Sequence, residues 1–174
     1  MIRATCLALG VLLATAAVAT ASADDATLLG TTKDWSALTS GSGSDKDCYA
    51  MAKPRSSDPR KTKRDPIFFL ITDWPSRRTK SEPEAVPGYQ YKDGSTVTAQ
   101  VGADKFAFFT QNDGGAGSAW IRKRNDEVRL VEAMRNGQEL IVTGTSKRGT
   151  LTRDTYSLAG LGDALDRIHK ECGM

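Results

Sequence analysis

The chain has 174 residues, a formal net charge of +3, 39% hydrophobic residues and 26% charged residues. A charge excess this small excludes the basic character of a nucleic-acid binder, and an apolar content this high excludes a disordered chain. One histidine and three cysteines leave little material for a metal centre or a histidine-dependent hydrolase.

Met1 and Arg3 give a positive start, Leu7 to Val18 form an apolar run, and Ala21-Ser22-Ala23 precede acidic Asp24-Asp25. This is the order of a secretory signal peptide over residues 1–23, cleaved after Ala23. The run is shorter than the roughly 20 apolar residues of a membrane span. The expected location is therefore periplasmic or secreted, with no integral membrane segment after cleavage. Cleavage discards Cys6 and leaves Cys48 and Cys172. In an oxidising compartment a single Cys48–Cys172 disulfide is the simplest outcome. Two free thiols or a metal site are the alternatives, and the lack of a third ligand argues against zinc. About 150 residues remain, enough for one domain. Residues 24–32 are expected as a flexible leader and residues 33–174 as the domain.

Lys33 to Leu38 reads as a strand that runs into a Gly/Ser turn, and Cys48 to Ala52 as a second strand. Lys53 to Asp65 is rich in proline and charge and reads as an exposed loop. Its Arg60, Lys61, Lys63 and Arg64 are the densest basic stretch and the candidate binding residues for an acidic surface, such as membrane headgroups or lipopolysaccharide. Pro66 to Trp74, the most apolar run after the leader, reads as a central strand, and Pro75 to Pro87, with three prolines, as a second long loop. Tyr89 to Tyr91 fits a strand. Ser95–Val101 and Lys105–Thr110 fit a hairpin, and Asn112–Gly115 a turn into a strand over Ser118–Ile121. Apolar residues at 128, 130, 131 and 134 predict a short helix capped by Asn125 and stopped by Asn136-Gly137. Leu140–Thr145 and Thr150–Leu158 form a further hairpin. Leu161, Ala164, Leu165 and Ile168 then mark a C-terminal helix. The sum is a mainly β, single-domain β-sandwich, immunoglobulin-like or barrel-like. Trp35, Trp74 and Trp120 are expected in its core.

Candidates for chemistry are few. His169 and Cys172 would touch on a helix, but a disulfide consumes the thiol. Ser146-Lys147 are neighbours that point apart on a strand. Glu82/Glu84 and Asp163/Asp166 read as solvated carboxylates, and Gly114-Gly115-Ala116-Gly117 lacks the lysine of a phosphate-binding loop. No catalytic residue, metal or cofactor is expected.

Several segments taken in order are more specific. They are Asp34-Trp35, Cys48-Tyr49-Ala50, Arg64-Asp65-Pro66, Gly88-Tyr89, Ala133-Met134-Arg135-Asn136-Gly137, Gly144 to Thr150, Asp154 to Leu161, and the helix ending at Cys172. This ordered set resembles the invasion-associated locus B family of alphaproteobacteria over nearly all of the chain after the leader. The family's usual Gly-Phe is Gly160-Leu161 here, an apolar exchange. The resemblance implies a secreted or periplasmic, non-enzymatic β-domain, expected as a monomer. It would support host-cell interaction or envelope adaptation by binding a protein or envelope component. A cell-envelope hydrolase is one alternative. The other is a periplasmic chaperone or accessory subunit offering an edge strand.

Overall fold

A computed structural model describes residues 26–60 and 62–174. The expected signal peptide with Cys6, and Lys61 of the basic stretch, lie outside the described residues. Eleven strands form one antiparallel sheet in the order β1-β2-β3-β5-β6-β9-β8-β7-β10-β11-β4. In chain order they are β1 (Thr27–Thr32), β2 (Trp35–Ser40), β3 (Asp47–Ala52), β4 (Ser56–Asp58), β5 (Phe68–Trp74), β6 (Thr79–Val86), β7 (Thr96–Val101), β8 (Asp104–Asp113), β9 (Ala116–Trp120), β10 (Glu139–Thr145) and β11 (Leu151–Ser157). Helix α1 (Arg124–Asn136) joins β9 to β10, and α2 (Leu161–Cys172) follows β11.

The sheet curls so that its halves share one core. Phe69 on β5 meets the rings of Phe108 on β8 and Tyr156 on β11 edge-on, at centroid distances of 6.3 and 5.8 Å. Trp35 on β2 is fully buried and its Nε1 donates to the Ser157 carbonyl of β11 at 2.9 Å. The apolar stripe of α2 (Leu161, Ala164, Leu165 and Ile168) and Leu130 and Met134 of α1 are buried in the same core. Gly160, before α2, is at φ +91°, and a Cβ there would lie 2.0 Å from the Thr32 carbonyl oxygen, so the close approach of α2 to β1 requires glycine. Cys48 of β3 and Cys172 of α2 form a disulfide, with Cα atoms 6.0 Å apart and 124 residues between them.

The mainly β fold with a short and a C-terminal helix agrees with the sequence reading, and several local expectations need correction, the first being that Ser56–Asp58, inside the expected Lys53–Asp65 loop, is β4 and pairs with β11. The leader is not flexible throughout: Thr27–Thr32 is β1, returned onto β2 by a Lys33-Asp34 turn that pairs Thr32 with Trp35. Pro75 to Pro87 is not a loop. Its residues alternate, with Ser81, Pro83 and Ala85 inward and Glu82 and Glu84 outward, as β6. Pro83 is tolerated because β9 pairs only with Glu84 and Ala85, so no ladder bond toward β9 is needed at the proline. Tyr89 to Tyr91 is not a strand, since only Tyr91 bridges, to Ser146. The cap residue of α1 is Lys123, without a side-chain cap bond, and Asn125 is already helical. The tryptophans also divide: Trp35 is core, whereas Trp74 and Trp120 are only half-buried.

Candidate functional site

The chain between β4 and β5 passes beside the turn that follows β6. Asp65 N–H donates to the Gly88 carbonyl at 3.0 Å. Gly88 is at φ +72°, and a Cβ there would sit 2.1 Å from the Asp65 oxygen, so this crossing also requires glycine. The crossing turns Arg64 inward. Its Nη1 and Nη2 donate to the two Asp154 carboxylate oxygens at 2.8 and 2.6 Å, and Nε donates to the Pro87 carbonyl at 2.8 Å. Both charged side chains are only 4% exposed. The guanidinium lies 4.9 Å over the Tyr89 ring, and the Tyr89 hydroxyl shares a 2.6 Å hydrogen bond with Thr152. This is a fork-to-fork ion pair in which every side-chain nitrogen and oxygen has a hydrogen-bond partner, the condition under which a buried pair is tolerated. Burial pushes the hydroxyls of Tyr89, Tyr91 and Tyr156 upward, so all three remain protonated near neutrality.

Outside this lock is an open cleft of about 510 Å³ between residues 62–65, 88–90 and the β10–β11 turn. Lys63, Lys147 and Arg148 are exposed on its rim and form no ion pair among the described residues. The structure therefore separates the candidate residues of the basic stretch. Lys63 stands on the rim, and Arg60 is an exposed loop residue 4.0 Å from Asp58. Arg64 faces the interior as a structural residue and is not available to a partner. Lys147 and Arg148 were missed as site residues. Their only sequence signal was a basic pair in a tight turn, and spacing alone does not bring that turn beside residue 63.

A second polar cluster lies where α2 meets β5 and β6. The Ser81 hydroxyl and His169 Nε2 are 2.9 Å apart, Asp73 Oδ1 is 3.7 Å from the same nitrogen, and Ser81 N–H donates to Asp73 Oδ1 at 2.8 Å. Serine, histidine and aspartate are present, but both oxygens address one ring nitrogen. A catalytic triad needs the carboxylate on the opposite nitrogen, where it fixes the tautomer. The histidine–cysteine pair is unavailable because Cys172 is in the disulfide. Asp163 and Asp166 are on the exposed face of α2, with Asp166 bound by Arg135 at 2.9 Å.

Burial, reinforced by Lys80 and Arg135, lowers the His169 pKa to about 4. The ring is therefore neutral at pH 7, and its approach to Asp73 is not an ion pair. Because the folded value lies below the unfolded one, the unfolded chain binds the extra proton first, and stability falls as pH drops from about 6.5 to 4. Asp73, raised mainly by burial, acts in the opposite sense and offsets part of this loss. His169→Gln should flatten that portion of the pH profile by about 1–2 kcal/mol in urea unfolding. An unchanged slope would show that the histidine does not titrate as described.

No family model matches the chain, and no curated protein matches it. Among solved structures, the crystal structure of invasion associated protein B from Bartonella henselae is similar, with a TM-score of 0.57 over 83% of this chain and 98% of that one. The two are 14% identical, so the likeness shows a common fold. It agrees with the family resemblance read from the ordered sequence segments.

Proposed function

We propose that the protein is an exported, non-enzymatic binding domain that uses the basic cleft to hold an anionic component of an envelope or host-cell surface. The carrying observation is the convergence of Lys63, Lys147 and Arg148, without ion-pair partners among the described residues, on one open cleft over a rigid buried floor. Unpaired cations on a rigid rim attract a multivalent anion without first breaking internal pairs. Export is supported by the apolar leader and by the Cys48–Cys172 disulfide, which persists in oxidising compartments. No helix of the described residues is long and apolar enough to cross a membrane. The protein whose fold it shares is named as invasion associated, and the surface-binding role proposed here follows that name by analogy.

The test is binding of purified lipopolysaccharide and of heparin at low and at physiological salt. Replacing Arg60, Lys63, Lys147 and Arg148 with alanine should weaken binding about tenfold or more and flatten its salt dependence, with thermal stability unchanged. Equal binding by the variant would remove the cleft assignment.

A further inference from the structure

The outer face of the sheet carries an unusual row. The inner positions Ala50, Ile71, Ala85, Ala119 and Phe108 are buried. The outward positions of the same strands are expected to be polar where a sheet faces water. Here the register aligns Met51, Leu70, Glu84, Trp120 and Phe109 across β3, β5, β6, β9 and β8. All five are half-buried, and none is covered by the apolar stripe of a helix, because those stripes join the inner core. Four steps between adjacent strands make the row about 19 Å long.

The charges on this face are ordered. Glu84 sits in the middle of the row between Leu70 and Trp120, with Glu82 beside it on β6. Among the described residues neither forms an ion pair; Glu82 accepts only from Trp74 Nε1, at 2.8 Å. Burial, with Glu82 adding and a hydrogen bond from Ser118 opposing, holds the Glu84 carboxyl above its usual range, as expected of a carboxylate without a cation. Cations occupy the periphery instead, stacked on rings. Arg122 lies 4.2 Å over Phe109, Arg77 4.0 Å over Trp74, and Lys53 5.9 Å over Phe68. A desolvated carboxylate framed by aromatic and aliphatic groups, with charge of the other sign on the rim, has the anatomy of an interface centre.

We propose that this face docks a partner polypeptide through an extended segment whose every second side chain, the set that faces the sheet, reads apolar, basic, apolar. The basic group meets Glu84 and Glu82, and the apolar ones cover Met51, Leu70 and Trp120. A row of about 19 Å accommodates about six extended residues, and because successive side chains point to opposite sides about three of them face the row, enough for one basic group at the centre with an apolar group on either side. The peripheral cations repel a basic group placed off-centre and so fix the register. An anionic membrane is the poorer occupant, because its headgroups would face the two central carboxylates. This surface is separate from the basic cleft and opposite to it in preference.

The probe is a fluorescein-labelled leucine–lysine peptide in which a serine separates each leucine from the next lysine, so that both face one side of the extended chain, with the corresponding leucine–glutamate peptide as control, followed by fluorescence anisotropy on the whole protein. The leucine–lysine peptide should bind, and the control should bind at least about tenfold more weakly. Glu84→Gln combined with Glu82→Gln, and separately Trp120→Ala, should each weaken binding about tenfold with the melting temperature within a few degrees of the parent. The variant lacking Arg60, Lys63, Lys147 and Arg148 should bind the peptide as the parent does. The proposal is overturned by any of four results: no binding of the leucine–lysine peptide up to about 1 mM, equal binding of both peptides, unchanged binding by both face variants, or phosphatidylglycerol vesicles captured through Trp120 in preference to the peptide.

Discussion

Cys48→Ala combined with Cys172→Ala should lower stability by about 4 kcal/mol in urea unfolding, since a cross-link closing 124 residues removes a large share of the unfolded chain's freedom. Wild-type protein unfolded in reducing agent should coincide with the double variant, because both lack the same constraint. The position of the bond makes the effect local as well. Cys48 is fully buried on β3, opposite Asp73 of β5, and Cys172 occupies the last turn of α2. Reduction releases the helix that covers Trp35, Ala37 and Ala50, so amide exchange should rise first in β2, β3 and α2. A loss below about 1 kcal/mol would mean that α2 is held by its apolar stripe alone.

Arg64→Ala should cost about 3–5 kcal/mol, because Asp154 would remain buried without its cation, and Asp154→Ala should cost a similar amount for the mirror reason. The paired replacement Arg64→Met with Asp154→Leu should cost much less than either single change, because it removes both desolvated charges and keeps the volume. The measurement is a double-mutant cycle by urea unfolding. Additive losses would show that the pair is not coupled, against the 2.6 and 2.8 Å bidentate contact. In the same experiment Arg60→Ala should be nearly silent, since its side chain is 86% exposed.

That contrast shows where the sequence was readable. Most of the short strands, both helices and the pairing of Cys48 with Cys172 followed from local alternation, helical spacing and cysteine parity, and the structure shows them. The ordered segments behind the family resemblance include Arg64-Asp65, Gly88-Tyr89 and Asp154, which the fold brings together in one buried lock. Neighbouring basic residues in a loop look equivalent in one dimension. The direction of Arg64 depends on Gly88 and Asp154, 24 and 90 positions later. β6 was hidden because three prolines in thirteen residues suggest a loop, and whether Pro83 needs its missing N–H depends on how far β9 extends. Trp74 and Trp120 were assigned to the core on composition. Their outward placement is set by strand register, to which composition is blind.

The place of α2 in the chain has a consequence for the order of assembly. This helix lies chiefly against β2 and β3, yet every other strand is made between them and the helix, apart from β1. As the polypeptide emerges from a ribosome or an export channel, Trp35, Ala37 and Cys48 have no cover until residues beyond Leu161 arrive. The sheet can pair strand by strand during that interval, but its first half cannot be sealed. A chain cut short before Leu161 is thus a sheet open at one end, and the arrival of α2 is the step that closes it.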